Sequence, residues 1–197
     1  MRLIPSYPLA VFVFLLWPGV SAAADFESAL AAFDNGNYHK AVREFRALAE
    51  DGHAKSQFNL GLMYFRGLGV EEDSEAAKEW ALKSARQDYA PAQYTIGVMY
   101  SKGAGFEKNP IEAAQWFRRA AEQGHPQAQH DLASLYGEGR GVPRDVVLGH
   151  MWFSLAIPNL RGEARAFAQE NQQILEARMT EQEIRKARQM AADWVAK

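Results

Sequence analysis

The sequence predicts an all-α solenoid of about ten helices, and three observations support this fold class. First, glycine, tyrosine and tryptophan residues recur every 36 residues through the middle of the chain, and a fixed period of this kind is typical of solenoids. Second, the apolar residues within each period fall at helical spacing on two successive segments. Third, the segments on either side of the periodic region differ from it, as the ends of a solenoid require.

Residues 1–24 have the features of a secretory signal peptide. Arg2 supplies a positive charge, residues 9–17 are an unbroken apolar run, and Pro18-Gly19 precedes four small residues that end at Ala24. This order predicts export with cleavage near Ala24. A retained anchor is the alternative, but nine apolar residues are short of the roughly 20 that span a bilayer. We therefore expect a periplasmic or secreted protein that is not inserted in a membrane after cleavage.

Residues 25–53 are interpreted as a degenerate first unit. An Ala-Phe pair at Ala32-Phe33 is followed by a Gly-Asn-Tyr turn and by Ala41, and Gly52 closes the unit. We expect this unit to cap the N-terminal end of the solenoid, because a terminal repeat has one face without a neighbour.

Three copies of the period follow, at residues 54–89, 90–125 and 126–159. Each copy has two pairs of core residues, two turn glycines and one tryptophan at equivalent positions: Leu60-Gly61, Ile96-Gly97 and Leu132-Ala133; Met63-Tyr64, Met99-Tyr100 and Leu135-Tyr136; Gly67, Gly69, Gly103, Gly105, Gly139 and Gly141; Trp80, Trp116 and Trp152.

Each copy is predicted to contain a helix A and a helix B. Helix A ends at the glycine pair, because glycine tolerates the positive φ that such an ending requires. Helix B begins after a capping side chain, which is Asp73, Asn109 or Asp145 in the three copies. In the middle copy, the residues at helical spacing that we expect to be buried are Ala92, Ile96, Met99 and Tyr100 on helix A and Ala113, Trp116, Phe117 and Ala120 on helix B.

Residues 160–197 no longer follow the period and are predicted to form a C-terminal pair of capping helices. The second of these helices begins with a capping box at residues 180–183. The apolar faces are predicted to comprise Ala164, Phe167, Ala168, Ile174 and Leu175 on the first helix and Ile184, Ala187, Ala191 and Trp194 on the second.

The repeated pattern resembles the Sel-1-like repeat, a relative of the tetratricopeptide repeat. The matching features are the run LGxMYxxGxG, an Asp or Asn cap, AxxW and AAxxG at a period of 36 residues. The first unit, residues 25–53, is closer to a tetratricopeptide repeat. The resemblance implies a right-handed α/α solenoid, or superhelix, in which three Sel-1-like repeats lie between the N- and C-terminal capping helix pairs. It also implies contact with other proteins in envelope assembly, signalling or host interaction.

Composition and motifs disfavour chemistry at a catalytic or metal site. The chain has no cysteine, which excludes disulfides, thiolate nucleophiles and cysteine-based zinc sites. A formal charge of −2 argues against a nucleic-acid partner. The five histidines lack the spacing of metal ligands, and we expect structural roles for them: His39, His53, His125, His130 and His150. We therefore expect no catalytic residues, no metal and no cofactor.

A candidate binding groove is predicted on the face of helix A that the core does not use. Three positions per copy, at i, i+3 and i+7, stack into a grid of nine residues that vary where the core is repetitive. The resemblance implies that the A helices line a concave surface. Two members, Leu62 and Val98, are apolar at positions we expect to be exposed. The nine residues are Asn59, Leu62, Arg66, Thr95, Val98, Lys102, Asp131, Ser134 and Glu138.

These features predict a non-enzymatic scaffold or adaptor that binds a peptide or protein segment with an acidic stretch near Arg66 and Lys102. One alternative is cell-wall ligand binding or a β-lactamase-like hydrolase, since some cysteine-rich secreted relatives have been linked to such activity; this chain lacks their cysteines. A second alternative is a periplasmic regulator of a sensor kinase.

Overall fold

A computed structural model describes residues 25–195, and the predicted signal peptide lies outside these residues. The described residues form ten α-helices and one short 3-10 helix, with no strand among them. The helices are α1 (Phe26–Asp34), α2 (Tyr38–Glu50), α3 (Ala54–Arg66), α4 (Ser74–Ala85), α5 (Ala90–Lys102), α6 (Pro110–Glu122), α7 (Pro126–Glu138), α8 (Val146–Ala156), α9 (Gly162–Glu176) and α10 (Glu181–Ala192), and the 3-10 helix is Ile157–Asn159.

From α1 to α8 each helix packs against the next along the chain, which confirms the predicted all-helical solenoid. The buried apolar residues form three consecutive clusters along the stack, around α1–α3, around α4–α5 and from α6 to α10. Because each unit contacts only its neighbours, local departures from the repeat change the structure locally.

Helix boundaries follow from the capping residues and turn glycines. Asp73, Asn109 and Asp145 each accept two backbone N–H groups in the first turn of α4, α6 and α8, as predicted. The A helices α3, α5 and α7 each end at a left-handed glycine with φ between 62° and 76°. The predicted capping box is present at the start of α10.

The small residue in helix A lets helix B of the same unit approach closely. A Cβ atom on Gly97 would lie 2.6 Å from Cδ1 of Phe117, and one on Gly61 would lie 3.0 Å from the carbonyl oxygen of Ala77. Contact this close is incompatible with a larger side chain unless the helices move apart. The Gly-containing pairs in the period therefore set the spacing between helices within a unit.

The three repeated tryptophans are not equally buried, contrary to the prediction from their spacing. Trp152 is 6% exposed and packs edge-on against Trp194, with ring centroids 6.0 Å apart. Trp80 and Trp116 are only partly buried. Their rings lie 4.1 Å from Nζ of Lys83 and 4.6 Å from Cζ of Arg119. Of the three tryptophans, Trp152 is the one that is buried, because the C-terminal helices pack over its unit.

A repeated series of buried glutamines joins successive units, and the sequence analysis did not identify it. Gln57, Gln93 and Gln129 are at most 5% exposed, and each donates to a backbone carbonyl eight residues earlier in the chain. Gln87 and Gln123 donate in turn to the side-chain oxygens of Gln57 and Gln93. These hydrogen bonds satisfy polar groups in the interface between units, where an unpaired group is costly.

The C-terminal helices cover the last repeat, but the apolar face predicted for α9 is only partly buried. Both α9 and α10 pack on α8, rather than mainly on each other. On α9, Ala168 and Leu175 are buried as expected, but Phe167 is 56% exposed and Ile174 is 51% exposed. The apolar positions of α9 are thus divided between the core and the surface, because α8 covers only one side of this helix.

Candidate functional site

The structure places eight of the nine grid residues at two cavities. Five of them line a cavity of about 440 Å³ between α3 and α5, and Asp131, Ser134 and Glu138 line another of about 360 Å³ between α7 and α9. Asn59 lines neither cavity and donates to the carbonyl of Lys55 within its own helix. The five residues at the first cavity are Leu62, Arg66, Thr95, Val98 and Lys102.

The first cavity, called here the α3–α5 cavity, is apolar inside. Helix α4 contributes Ser74, its first residue, together with Ala77 and Ala81, which are each 6% exposed. The apolar side chains contributed by α3 and α5 are Phe58, Leu62, Phe65, Val98 and Met99. A concave, mostly apolar site with a few polar groups, of roughly 300–1,000 Å³, is the usual form of a ligand pocket.

Leu62 and Val98 are partly buried, so the expectation that both are exposed was wrong. Val98 packs against the core cluster that runs from α6 to α10, and both residues line the cavity. Phe65, which the sequence analysis missed, is 59% exposed and lines the same cavity. Its position is occupied by Ser101 and Gly137 in the later units, so the period gives no signal for it. An exposed phenylalanine beside an apolar cavity is the kind of surface that marks an interaction site.

Two cations lie at the α3–α5 cavity, and no carboxylate lines it. Arg66 and Lys102 are the basic residues in the last turns of α3 and α5. Both are exposed, and neither forms a salt bridge with any residue of the described chain. The cavity therefore combines an apolar interior with a positive edge.

The second cavity, called here the α7–α9 cavity, has carboxylates that are already paired. Asp131 Oδ1 lies 2.9 Å from His130 Nδ1, and Glu138 Oε2 lies 2.7 Å from Arg140 Nε. The exposed Phe167 also lines this cavity. Glu138 is therefore paired with a cation close to it, whereas Arg66 and Lys102 at the α3–α5 cavity have no carboxylate partner.

Histidines serve as turn and packing residues, in agreement with the sequence analysis. His53 and His125 precede α3 and α7, and Nδ1 of His125 accepts the N–H of Ala128. The His125 ring stacks on Tyr94 at 4.8 Å. Burial lowers the pKa of His125, against an opposing effect of Asp131. Burial, together with the Asp131 carboxylate, raises the pKa of Tyr94 to about 12.

A Ser–His–Glu arrangement joins α8 to α9 and was not apparent from sequence. His150 Nε2 lies 2.6 Å from Oε1 of Glu176, and His150 Nδ1 lies 3.4 Å from Oγ of Ser154. Ser154 donates its proton to the backbone carbonyl of His150 at 3.0 Å and accepts a hydrogen bond from Gln172. His150 is 1% exposed, and Ser154 lines neither cavity. The arrangement therefore connects α8 to α9 rather than presenting an activated hydroxyl to a substrate.

Within residues 25–195, no group of three or more histidine, aspartate or glutamate side chains is placed to hold a metal ion. In the same part of the chain, no helix has the length and hydrophobicity needed to cross a membrane.

The stacked helix pairs, with a cavity between successive A helices, define a helical-repeat solenoid. The Sel1 repeat model matches residues 54–89, 90–125 and 126–157, which together make up more than half of the chain. The chain therefore belongs to the Sel1 repeat family. Proteins built from these repeats are generally protein–protein interaction scaffolds and typically not enzymes.

Similar proteins come from bacteria and from a virus. A crystal structure of a Sel1 repeat protein from Oxalobacter formigenes is 32% identical with a TM-score of 0.68, covering 74% of this chain and 59% of that one. A protective antigen of uropathogenic Escherichia coli strains, described as displaying an SLR fold, is 28% identical with a TM-score of 0.51, covering 84% of this chain and 45% of the antigen.

A protein of Acanthamoeba polyphaga mimivirus, described as Sel1-like repeat-containing, is 32% identical over 65 aligned residues. The alignment covers 29% of this chain and 11% of the viral protein. The chain thus spans less than two thirds of the length of each of these three relatives.

Proposed function

We propose that this protein is an exported interaction scaffold that binds an acidic segment of a partner protein at the α3–α5 cavity. The proposal is supported by one observation: Arg66 and Lys102 lie at an apolar cavity, form no salt bridge within the described chain, and have no carboxylate among the residues that line the cavity. Opposite charges on two surfaces speed their encounter and favour the correct partner. The role agrees with the general function of Sel1 repeats as interaction scaffolds.

Export is supported by the sequence of residues 1–24, in which charge, apolar run and small residues follow the order of a signal peptide. A scaffold without cysteine needs no disulfide in order to fold. The proposed partner is therefore an envelope or secreted protein. Fractionation of the producing cells, with N-terminal sequencing of the mature chain, tests this part: a chain found in the cytoplasm with residues 1–24 intact contradicts it.

Affinity capture from an envelope extract tests the proposed site. The bait is the mature chain, compared with a variant that carries Leu62→Asp, Arg66→Glu and Lys102→Glu. A control variant carries Arg165→Glu and Lys186→Glu, which reverse two exposed charges on α9 and α10 away from the cavity. The native chain and the control should capture the same partner, and the cavity variant should lose it.

Circular dichroism and thermal unfolding establish that all three baits are folded before they are compared. Capture by the native chain should also weaken as salt is raised, because exposed charges are screened beyond about 10 Å at 0.1 M salt. Equal capture by the cavity variant would place the binding site elsewhere on the solenoid. Equal loss in the control variant would mean that net charge, rather than the cavity, determines capture.

A further inference from the structure

The turn that follows each A helix is docked on the preceding unit in two of the three repeats. In the first, a Cβ atom on Gly69 would lie 2.5 Å from the backbone carbon of Tyr38, the first residue of α2. In the third, a Cβ atom on Gly141 would lie 2.0 Å from the carbonyl oxygen of Pro110, the first residue of α6. Each of these two loop glycines thus rests on the start of helix B one unit earlier, 31 residues back in the chain.

The middle repeat departs from this arrangement. Gly105 has a φ of 75°, close to the 72° and 70° of its two counterparts. The residue 31 positions earlier is Ser74, the first residue of α4. A Cβ atom on Gly105, however, would meet only Cε of Met99 at 3.1 Å and Cδ of Lys78 at 3.9 Å. The α5–α6 loop (residues 103–109) therefore stands away from the backbone at the start of α4, although the Lys78 side chain of that helix reaches the loop.

Three departures from the repeat lie at the undocked loop. One is Lys78, which stands where the neighbouring units have Val42 and Ala114 and whose Nζ lies 5.5 Å from the centre of the Phe106 ring. Phe106 occupies the position of Val70 and Val142, and its ring stacks on Tyr100 with centroids 4.2 Å apart. Leu82 occupies the position at which the neighbouring units have an arginine.

Those arginines, Arg46 and Arg118, donate to the hydroxyl groups of Tyr64 and Tyr136, which are the counterparts of Tyr100. Without an arginine partner, Tyr100 packs against Phe106 instead. The phenylalanine ring needs more room than valine under a loop that is closely packed in the other units, so the loop is held further out.

The space left by the loop is continuous with the α3–α5 cavity. Ser74, Ala104 and Gly105 all line that cavity, whereas the counterparts of Ser74 and Gly105 are in contact with each other at the other two junctions. Phe106 itself does not line the cavity. It acts through the position of the loop and is a positioning residue.

We infer that Phe106 opens the α3–α5 cavity by holding the α5–α6 loop off the start of α4, and that the opened cavity takes a bulky apolar side chain next to a carboxylate on the bound segment. The apolar group enters between α3 and α5, and the carboxylate is attracted by Arg66 and Lys102. This inference rests on the proposed function, since it specifies the chemistry of the segment bound at the same site.

The anionic dye 8-anilinonaphthalene-1-sulfonate tests the inference because it joins an apolar ring system to one negative charge. The native chain should bind it with enhanced fluorescence. Phe106→Val, which restores the residue present in the other repeats, should bind about tenfold more weakly or worse, a loss of about 1.4 kcal/mol. Phe106→Val with Leu82→Arg should behave in the same way, and Phe106→Tyr, which keeps an aromatic ring, should retain binding.

Two controls make the outcome specific to this cavity. Phe167→Ser removes the exposed aromatic ring of the α7–α9 cavity and should leave dye binding unchanged. A crystal structure of the Phe106→Val, Leu82→Arg variant should show Gly105 docked on the backbone of Ser74. The inference would be overturned if the native chain did not bind the dye, or if Phe106→Val bound it as well as the native chain. It would also be overturned if Phe167→Ser lost the dye, or if the crystal structure of the double variant showed an undocked loop.

The failure of the inference is distinguishable from that of the proposed function. If Phe106→Val retains both the dye and the captured partner while the cavity charge variant loses the partner, the scaffold site stands and the role of Phe106 is wrong. If no variant changes capture, the proposed site is wrong as well.

Discussion

The clearest test of loop docking is an alanine substitution at two glycines that occupy the same repeat position. Gly141 and Gly105 have φ values of 70° and 75° and follow A helices of equal length. They differ in what a new Cβ atom would meet. At Gly141 it would lie 2.0 Å from the carbonyl oxygen of Pro110, and at Gly105 the nearest atom is the flexible end of Met99 at 3.1 Å.

The expected magnitudes follow from two separate costs. An alanine in the left-handed region costs about 1–2 kcal/mol, and this cost applies to both positions. At Gly141 the clash with backbone atoms forces the loop away from α6, and overpacking of this kind costs about 1–3 kcal/mol more. We therefore expect losses of about 1–2 kcal/mol for Gly105→Ala and about 2–5 kcal/mol for Gly141→Ala.

Urea unfolding followed by circular dichroism measures both losses against the native chain by linear extrapolation. For a chain of this size each kcal/mol lowers the melting temperature by about 2–4 °C, so thermal unfolding gives an independent measurement. Equal losses at the two positions, or a larger loss at Gly105, would refute the conclusion that the loop is docked in the third repeat and undocked in the second.

Two further predictions concern buried polar groups. Gln93→Ala should lower the free energy of unfolding by about 1–3 kcal/mol, because it leaves the carbonyl of Ala85 without this donor and removes the acceptor for Gln123. In urea unfolding, Gln127→Ala, at an exposed position, should change the free energy of unfolding by less than about 0.5 kcal/mol. Similar losses for the two variants would contradict the role of the glutamine series. The hydrogen bond from His150 holds the pKa of Glu176 below 4.5, so this carboxylate stabilises the fold above about pH 4.5 and loses that contribution as the pH falls through its folded-state value. Glu176→Gln should therefore show a smaller fall in its urea midpoint from pH 5 to pH 3 than the native chain, and parallel curves would exclude the effect.

The position of the candidate site illustrates how a repeat protein acquires a specific surface. The core positions are held by the period, since each must fit a neighbouring unit that uses the same contact. A residue that departs from the period can therefore change the contact between two units while the contacts between the other units stay the same. Phe106 and Leu82 are two such departures at one junction, and the α3–α5 cavity is found there.

Several features of the fold were predicted from the sequence because they depend on local chemistry. The capping residues Asp73, Asn109 and Asp145 begin helices in the structure, since a capping side chain bonds to amides only two or three residues away. The ends of the A helices were predicted for the same reason, because a glycine that adopts a positive φ is a local requirement. The period of 36 residues also predicted that the units follow one another in a stack, because each unit repeats the same contacts with its neighbours.

The candidate site could be predicted only in part. Helical spacing placed five grid residues on facing surfaces of α3 and α5, and they line one cavity. The same spacing gave no means of telling that Asp131 and Glu138 are paired with His130 and Arg140, because side-chain pairing depends on distances across a turn. Phe65 was missed because it is not repeated, although its exposed ring lies beside the cavity.

By itself, the sequence determined the helical class and the residues at which helices begin and end, because contacts within about four residues set these features. Its period of 36 residues determined the order of units. The tertiary structure alone decided how much of each repeated side chain is buried, as the different exposures of Trp116 and Trp152 demonstrate. It also decided that the loop at Gly105 stands away from Ser74 while its counterparts are docked. Side-chain burial and loop position both depend on how side chains from different units pack against each other. Because the packing is close, the space left for each side chain is known only once the units are stacked.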